Sequence, residues 1–348
     1  MAHELQHVLH VELPEHRRKA ACKADPTSSS LPPPYAAGLV RTVGLEPTLP
    51  RKTDFKSAAS TVPPRPHAAE LPQAGRHGER PARAYLRQVP RPALILALAL
   101  PALSAAAVVM ERRRPLRAAS EPLLPHDVRN LAVAALSFVA VSALERPVVA
   151  PLAEHVERRR LGLLQRLPVP AWARDALAIA LMDYSLYAWH VLTHRSPLLW
   201  RLHQVHHADM DLSASTALRF HFGEMIASIP WRLAQVRLIG TGPRALRTWR
   251  RLLFASIVFH HSNWRLPEAV ERRLAWLIAT PRLHGIHHAA DRAWSDSNWT
   301  SGLTLWDRLH GTFRDEPHQP EAIGVAELRR PEQVRFRRLL SLPLSPAA

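Results

Sequence analysis

Residues 190–207 read HVLTHRSPLLWRLHQVHH, and this stretch decides how the rest of the chain is interpreted. It contains two spaced patterns, HxxxH at His190 and His194 and HxxHH at His203, His206 and His207. On a helix, residues three and four positions apart lie on one face, so the imidazoles of each pattern can point at one metal ion. The stretch therefore predicts helical segments that present histidines to a metal site.

A second HxxHH pattern, with the same internal spacing, occurs at His284, His287 and His288. A lone HxxxH arises by chance, but three such patterns within one hundred or so residues do not. Adjacent helical residues point about 100° apart, so in the pair His260 and His261 we expect only His261 to face the site. The ten candidate ligands are His190, His194, His203, His206, His207, His221, His261, His284, His287 and His288.

The residue types of these ligands restrict the metal. The 348-residue chain has 21 His and a single Cys, Cys22, which excludes a disulfide scaffold and any multi-Cys zinc or iron–sulfur site. One ion takes roughly four to six ligands, so ten imidazoles indicate two ions. Iron, copper and zinc all suit imidazole-rich shells. Two irons with open coordination positions can activate O2, whereas zinc has no redox chemistry.

The charge of the chain indicates its surroundings. Lys and Arg number 46 against 29 Asp and Glu, a formal charge of +17. Such an excess is typical of nucleic-acid binding or of the flanks of membrane segments. The basic residues form short Arg clusters beside apolar stretches, and no basic stripe with interleaved aromatics is present. We therefore expect a membrane and no nucleic acid as partner.

Residues 92–110 are uncharged and end at an Arg cluster, so they predict a membrane segment of about the 20 residues needed to span a bilayer. The weaker apolar segments are 130–144, 176–187, 225–240 and 252–259. Singly, these segments fit core helices of a soluble protein; paired as hairpins, they make a multi-pass membrane protein. Strand signals are scarce, and the sequence predicts an all-α fold.

Residues 1–90 differ in composition from the rest of the chain. They are rich in Pro, lack helical or strand periodicity, and are predicted to be disordered. Residues 43–61 (VGLEPTLPRKTDFKSAAST) resemble peptides translated from a transfer-RNA gene, and we hypothesise a spurious N-terminal extension. All four lysines lie in the first 56 residues. The Arg-rich remainder is typical of a GC-rich bacterial gene, which points to a bacterial inner membrane.

The three histidine boxes resemble those of the fatty acid hydroxylase/sterol desaturase superfamily of integral membrane di-iron enzymes. The resemblance covers residues 125–315. It extends to the lead-in LMDYSLYAWH at 181–190, to TPRLH at 280–284 and to WDRLHGT at 306–312. The chain departs from the usual pattern at Phe222 and His310, and neither departure removes a ligand.

This resemblance implies a membrane-bound, di-iron, O2-dependent hydroxylase or desaturase of a lipid-like substrate (fatty acyl, sterol or related). It also implies two membrane hairpins, roughly residues 130–190 and 222–260, capped by a cytosolic helical domain that holds two iron ions. Residues 91–120 would be an extra membrane segment with a basic flank, and 316–348 a C-terminal tail. In this topology the arginines at 158–160 fall on the outer side, against the positive-inside rule.

The same boxes leave two alternative functions open. One is an ether-lipid-cleaving monooxygenase of the same superfamily, and the other is a non-catalytic membrane metal-binding protein. In the enzymatic interpretations the metal centre is the whole of the catalytic machinery. No nucleotide-binding glycine motif is visible, so an external electron-transfer protein must supply the electrons.

Four polar residues are candidates for orienting the ligand imidazoles. Asp183 precedes His190 by two helical turns on the same face, and its carboxylate can accept the second imidazole N–H or lie at a helix-packing seam. Glu224 follows His221 by three residues and has the same two interpretations. Asn298 and Asp307 can support the ligands or cap helices.

Overall fold

The computed structural model describes residues 91–316 and 318–345, with side chains from residue 98 onward. The prediction of disorder and a spurious extension in residues 1–90 lies outside the described residues. Within the described ranges the regular structure is helical, with isolated bridges in place of strands, and the all-α prediction is confirmed.

Thirteen α-helices are present in the described part of the chain. They are α1 (Arg91–Arg113), α2 (Leu123–Ala140), α3 (Arg146–Arg158), α4 (Ala171–Arg195), α5 (Pro197–His207), α6 (Phe222–Ala227), α7 (Ile229–Ile239), α8 (Pro243–His261), α9 (Glu268–Ala275), α10 (Pro281–His287), α11 (Arg292–Ser295), α12 (Leu305–Leu309) and α13 (Phe336–Ser341). Short 3₁₀ turns occur at Leu164–Arg166, Thr216–Leu218, Pro331–Val334 and Leu342–Leu344.

Helices α2 and α3 form one continuous helix of 36 residues, Leu123–Arg158, joined by a π-helical turn at Val141–Glu145. Its most apolar window has a mean hydropathy of 1.6 and is only 28% buried. Among the residues whose side chains are described, this is the one helix long and apolar enough to cross a membrane. The predicted segment 130–144 is thus too short at both ends. The helix continues past it through Glu145, whose carboxylate pairs with Arg250 at 2.6 Å.

Helix α1 contains the predicted apolar segment 92–110 and runs on to the arginines at its C-terminal end. It packs against α8. The carboxylate of Glu111, near the end of α1, accepts hydrogen bonds from the backbone N–H groups of Ala214 and Asn263. The first described helix is therefore fastened to the segment that follows the second histidine box.

The long helices pair differently from the predicted hairpins 130–190 and 222–260. Helix α3 packs mainly on α7, and α4 packs on α5, α7 and α8, so each half of a predicted hairpin packs chiefly on helices of the other. Val149, Met182, Trp189 and Trp249 lie in the shared core. Hydrophobic patterning predicts that a helix has a buried face but does not specify its partner, which explains the difference.

A glycine turn sets the spacing between α7 and α8. Gly240 ends α7 in the left-handed conformation (φ 86°), which permits the short connection to α8. Gly162 approaches it so closely that a Cβ at Gly162 would lie 2.4 Å from the Gly240 backbone nitrogen. The connection between α3 and α4 can therefore pack on this turn only because both residues lack side chains.

The segment predicted as a C-terminal tail is an integral part of the fold. Val334, Leu339 and Leu342 are buried in one cluster with Val133 of α2 and Val205 of α5. This packing places the chain end against the helix that carries the second histidine box.

Candidate metal centre

Eight buried or nearly buried histidines form two groups of four. In each group, one ring nitrogen from every member lies within 4.8 Å of the others. Group A consists of His190, His194, His207 and His287. Group B consists of His206, His261, His284 and His288.

Each group draws on three helices or more, and the box spacing divides the boxes between the groups. The first box ends α4, the second ends α5, and the third lies in and just after α10. His206 and His207 are adjacent, so their side chains diverge, and one joins each group. His287 and His288 are divided in the same way. The HxxHH pattern therefore serves two sites at once.

Caps fix where the box helices begin. Ser196 caps α5 by accepting a hydrogen bond from the Leu199 N–H, with Pro197 at the first helical position. Thr280 caps α10 in the same way, through the Leu283 N–H, and is followed by Pro281. These local signals start both helices at fixed residues, so their histidines occupy fixed positions.

The ring nitrogens of the two groups face one another at close range. In group A, His287 Nε2 lies 3.1 Å from His190 Nε2. In group B, His261 Nε2 lies 3.0 Å from both His206 Nε2 and His284 Nε2. Neutral imidazoles have one lone pair each, and several lone pairs directed at one point form a cation site.

The outer nitrogens of the rings are held by the protein. Backbone carbonyls accept the Nδ1–H of three rings: His190 at Trp299 (2.6 Å), His287 at Ser297 (2.9 Å) and His261 at Ile257 (2.8 Å). Such bonds fix the tautomer and leave the Nε2 lone pair free for a metal.

Many of the remaining ring nitrogens are buried without a hydrogen-bond partner. They are His194 Nε2, His203 Nε2, His206 Nδ1, His207 Nε2, His284 Nδ1 and both nitrogens of His288. An unsatisfied buried polar atom costs about 1–3 kcal/mol, so a cluster of them is unfavourable unless a ligand binds there. The donor set, neutral imidazoles with no thiolate, fits two ions of a first-row transition metal.

The electrostatic environment keeps these ligands ready to bind. Burial, with a smaller contribution from neighbouring imidazoles, holds the pKa of His206, His207, His284 and His288 well below the usual value for histidine. Burial lowers the pKa of His287 to about 3. A neutral imidazole needs no deprotonation before it coordinates a metal, so the centre can bind its ions at neutral pH.

Residues 176–312 match the fatty acid hydroxylase family. This match supports the superfamily resemblance that the histidine boxes indicate. The chain is 32% identical over 154 residues to the ornithine lipid hydroxylase OlsE of Rhizobium tropici, a match that covers 43% of this chain and 44% of that protein. It is also similar to an alkylglycerol monooxygenase of Xenopus tropicalis (29% identity, 39% of this chain, 29% of the relative).

A third relative is cholesterol 25-hydroxylase of Mus musculus, 26% identical over 42% of this chain and 48% of the relative. The chain thus spans less than half the length of each of these three curated relatives. No solved structure matches it. The matched segment of the fatty acid hydroxylase domain includes all ten predicted ligands.

His203 lies between the two groups. Its ring centroid is 4.9 Å from that of His194 and 5.4 Å from that of His206. Its Nδ1 is 3.0 Å from the carboxylate of Glu224, and its Nε2 is buried and unpartnered. Glu224 therefore contacts an imidazole as expected for an orienting carboxylate, although its partner is His203 and not the neighbouring His221.

The structure does not bring His221 to either group. Its Nδ1 accepts the Gly223 N–H at 3.0 Å and caps α6, and its Nε2 donates to the Leu340 carbonyl at 3.3 Å. Both ring nitrogens are occupied, which argues against the predicted ligand role. By contrast, the expected bystander His260 is fully buried, and its ring lies 4.1 Å from that of His284 in group B.

Asp183 holds a loop and does not orient a histidine. Its carboxylate accepts the Leu303 N–H at 3.0 Å and the Trp306 Nε1–H at 2.7 Å. Gly302 allows this approach, since a Cβ there would lie 2.1 Å from an Asp183 oxygen. Of its two predicted roles, the helix-packing one fits the contacts, and the imidazole-orienting one is corrected.

Asn298 and Asp307 act on the backbone beside the ligands. Asn298, at φ 51°, donates to the Leu283 and Arg314 carbonyls. Asp307 accepts the Trp299 N–H at 2.9 Å and thus fixes the residue whose carbonyl binds His190. Neither residue touches an imidazole of either group; both set the path of the chain that does.

A buried ionic network beside the second box was not predicted. Asp209, two residues after His207, is fully buried and pairs with the equally buried Arg219 at 3.0 Å. Asp209 also binds His126 and Asn130 of α2, each at 2.9 Å. The sequence signal is weak, because single charged residues are normally exposed. The backbone carbonyls that hold the ligand rings carry no sequence signal.

One apolar cavity borders the centre, and a second lies beside it. One, of about 260 Å³, is bordered by His190, His203, His206, His261 and His284 and otherwise mainly by apolar side chains. A second, of about 480 Å³, lies among α1, α4 and α8. Leu253 and Ser301 border both cavities, so the two are neighbours. Histidines of both groups thus form part of the wall of an apolar cavity that can accept hydrocarbon.

Proposed function

We propose that this protein is a membrane-bound oxygenase that holds two iron ions and oxidises a C–H bond of a lipid with O2. The observation that carries the proposal is the shared wall between the two histidine groups and the apolar cavity of about 260 Å³. A structural metal site has no need of a cavity, whereas an oxygenase needs one that brings hydrocarbon to the metals.

Each part of the proposed centre has a defined role. Group A would hold one ion and group B the other, and His203 would complete one of the two shells. Bound iron would supply the redox chemistry that activates O2. The chain's own residues orient the imidazoles through Trp299, Ser297 and Glu224, and they line a cavity that excludes water.

The substrate class follows from the cavity and the relatives. Relatives named for ornithine lipid, alkylglycerol and cholesterol all take a molecule with a large hydrocarbon part, and the cavity walls are mainly apolar. The exposed apolar surface of Leu123–Arg158 supports association with a membrane. We propose that the protein is multi-pass and lies in a bacterial inner membrane. We place the metal centre on the cytoplasmic side, where an external electron-transfer protein can reach it.

Ether-lipid cleavage is the second candidate, favoured by the match to alkylglycerol monooxygenase. Oxidation of the carbon next to an ether oxygen gives an unstable product that releases an aldehyde. A non-catalytic metal-binding protein fits less well, because the apolar cavity would then have no purpose.

The test is lipid analysis of cells that express the protein, grown under ¹⁸O2, with iron measured in the purified protein. Hydroxylation adds one ¹⁸O to a lipid. Desaturation removes two hydrogens without adding ¹⁸O, and ether cleavage releases an aldehyde. His288→Ala should abolish the new product, and His155→Ala, at an exposed histidine of α3, should not. Unchanged lipids despite two bound irons would refute the oxygenase proposal.

A further inference from the structure

Arg232 is a cationic residue on the wall of the cavity that holds the histidines. It lies on α7, within the bundle, and borders the same cavity of about 260 Å³ as His190 and His261. The cavity is otherwise mainly apolar. Burying a charged side chain beside apolar groups costs free energy unless the charge is paired, so an unpaired arginine at an apolar cavity marks a candidate binding site.

The acidic side chains near Arg232 are already paired. Glu145 pairs with Arg250 at 2.6 Å, and Glu224 binds His203 at 3.0 Å. No carboxylate of the described residues lies within ion-pair distance of Arg232. Glu224 borders the same cavity but contacts His203, so the Arg232 guanidinium has no direct ion-pair partner among the described residues.

The other contacts of Arg232 leave most of its donors available. One guanidinium nitrogen donates to the Gln235 side chain at 3.3 Å, and the guanidinium lies over the Trp249 ring at 4.9 Å. A guanidinium has five N–H donors arranged in a fork that matches a carboxylate or a phosphate. Stacking on Trp249 orients this fork without neutralising its charge.

We propose that Arg232 binds the acidic oxygen group of the substrate, so that the preferred substrate is an anionic lipid. The inference rests on the proposed oxygenase function and adds the chemical class of the lipid. The acid, a carboxylate or a phosphate, binds at α7, and the hydrocarbon extends past the histidine groups. The distance between Arg232 and the metals then selects which carbon is oxidised.

The test is equilibrium binding to the purified, full-length protein, with no turnover required. Oleate is compared with methyl oleate, and phosphatidate with diacylglycerol, because each pair differs in its charge. The wild type should bind at least one acid about tenfold or more tightly than its neutral partner. Preference for oleate alone indicates a free carboxylate as the source, and preference for phosphatidate alone indicates a lipid phosphate.

Three variants locate the preference. Arg232→Met should remove it by weakening acid binding and leaving neutral binding unchanged, while Arg232→Lys should retain part of it. Arg237→Met, at an exposed arginine of the same helix, is the matched control and should behave as wild type. Metal content and thermal unfolding confirm that each variant is folded; if Arg232→Met does not fold, the comparison of Arg232→Lys with wild type decides.

The proposal is overturned if the wild type shows no preference, if Arg232→Met or Arg232→Lys binds acids as tightly as wild type, or if Arg237→Met loses the preference equally. These outcomes are independent of the proposed function. An oxygenase that selects neutral lipids would still make an ¹⁸O-labelled or desaturated product, and an anion-binding protein without oxygenase activity would show the preference with no product.

Discussion

The described part of the chain contains two buried polar regions that differ in how their hydrogen bonds are satisfied. In groups A and B, ring nitrogens face one another or have no partner. In the network around Asp209, both carboxylate oxygens are occupied by Arg219, His126, Asn130 and Thr216. Buried acceptor lone pairs that the protein satisfies hold the fold together, and a cluster of lone pairs left without a donor indicates a ligand.

This difference decides how a third cluster is interpreted. Glu121, His126 and Asp209 lie as close together as the members of a metal site. However, Arg129 pairs with Glu121 and Arg219 pairs with Asp209, so two guanidinium charges already lie where a cation would bind. Proximity of ligand atoms does not identify a metal site unless their lone pairs are free.

The largest effect should follow from removing one ligand of either group. We expect His206→Ala and His207→Ala each to lower product formation about a thousandfold or more, because an incomplete centre loses several kcal/mol of transition-state stabilisation. His207→Ala should deplete the ion of group A and His206→Ala the ion of group B. Metal analysis should give roughly one ion per chain in each variant, against two in the wild type.

The control for these variants is the thermal stability of the metal-free proteins. Thermal unfolding of the metal-free proteins should show that both variants fold, with a loss of stability similar in the two, because each alanine leaves a cavity in place of one fully buried ring. Two ions retained in both variants would contradict the division of adjacent histidines between the groups.

Breaking the Asp209 network should lower the stability of the protein and leave its metal content unchanged. Arg219→Met removes the nearest guanidinium from the buried Asp209 and leaves it His126 and the more distant Arg129, and we expect it to lower the free energy of unfolding by about 3 kcal/mol. The folded fraction should still bind two ions per chain. Chemical unfolding in detergent and metal analysis measure the two quantities separately.

A second substitution sharpens this test. Arg219→Met combined with Asp209→Asn removes both charges, so it should recover much of the lost stability. A double variant as unstable as the sum of the two single variants would show that Asp209 and Arg219 do not act as a pair.

The same contrast explains what the sequence predicts well. The boxes supply seven of the eight histidines in the two groups, because residues three and four apart share a helix face, a local property. His221 lies outside the boxes, so no second histidine at helical spacing supports its prediction as a ligand. The carbonyl of Trp299 has no side-chain signal, and the pairing of α3 with α7 depends on which apolar faces meet. Tertiary packing decides both.

Asp307 accepts a hydrogen bond from Trp299, whose carbonyl binds His190. We expect its titration to make the free energy of unfolding depend on pH. Burial raises its pKa to about 6, against hydrogen bonds from Thr312, Thr300 and Trp299 that lower it. The neutral acid is therefore favoured in the folded state. Its contribution is complete below pH 3.8 and is lost as the pH rises through about 6, by up to about 3 kcal/mol.

Comparison with Asp307→Asn measures this contribution, because asparagine stays neutral at every pH. The free energy of unfolding of the wild type, relative to the variant, should fall between pH 4 and 6.5 and stay constant above pH 7. The metal ligands titrate in both proteins, so their effect cancels in the difference. A difference that rises with pH would show that the three hydrogen bonds outweigh burial.

The smallest effect should come from Glu224→Gln, which keeps an oxygen near His203 Nδ1 and removes only the charge. A carboxylate raises the basicity of the imidazole it binds, and its loss typically weakens metal affinity about 10- to 100-fold. Chelator competition should show this weakening, while Glu271→Gln, at a buried carboxylate paired with Arg282, should leave the affinity unchanged. If Glu224→Gln lowers the unfolding free energy but not the metal affinity, then His203 belongs with the satisfied network and not with the ligands. The boundary between the two polar regions would then run through the second box.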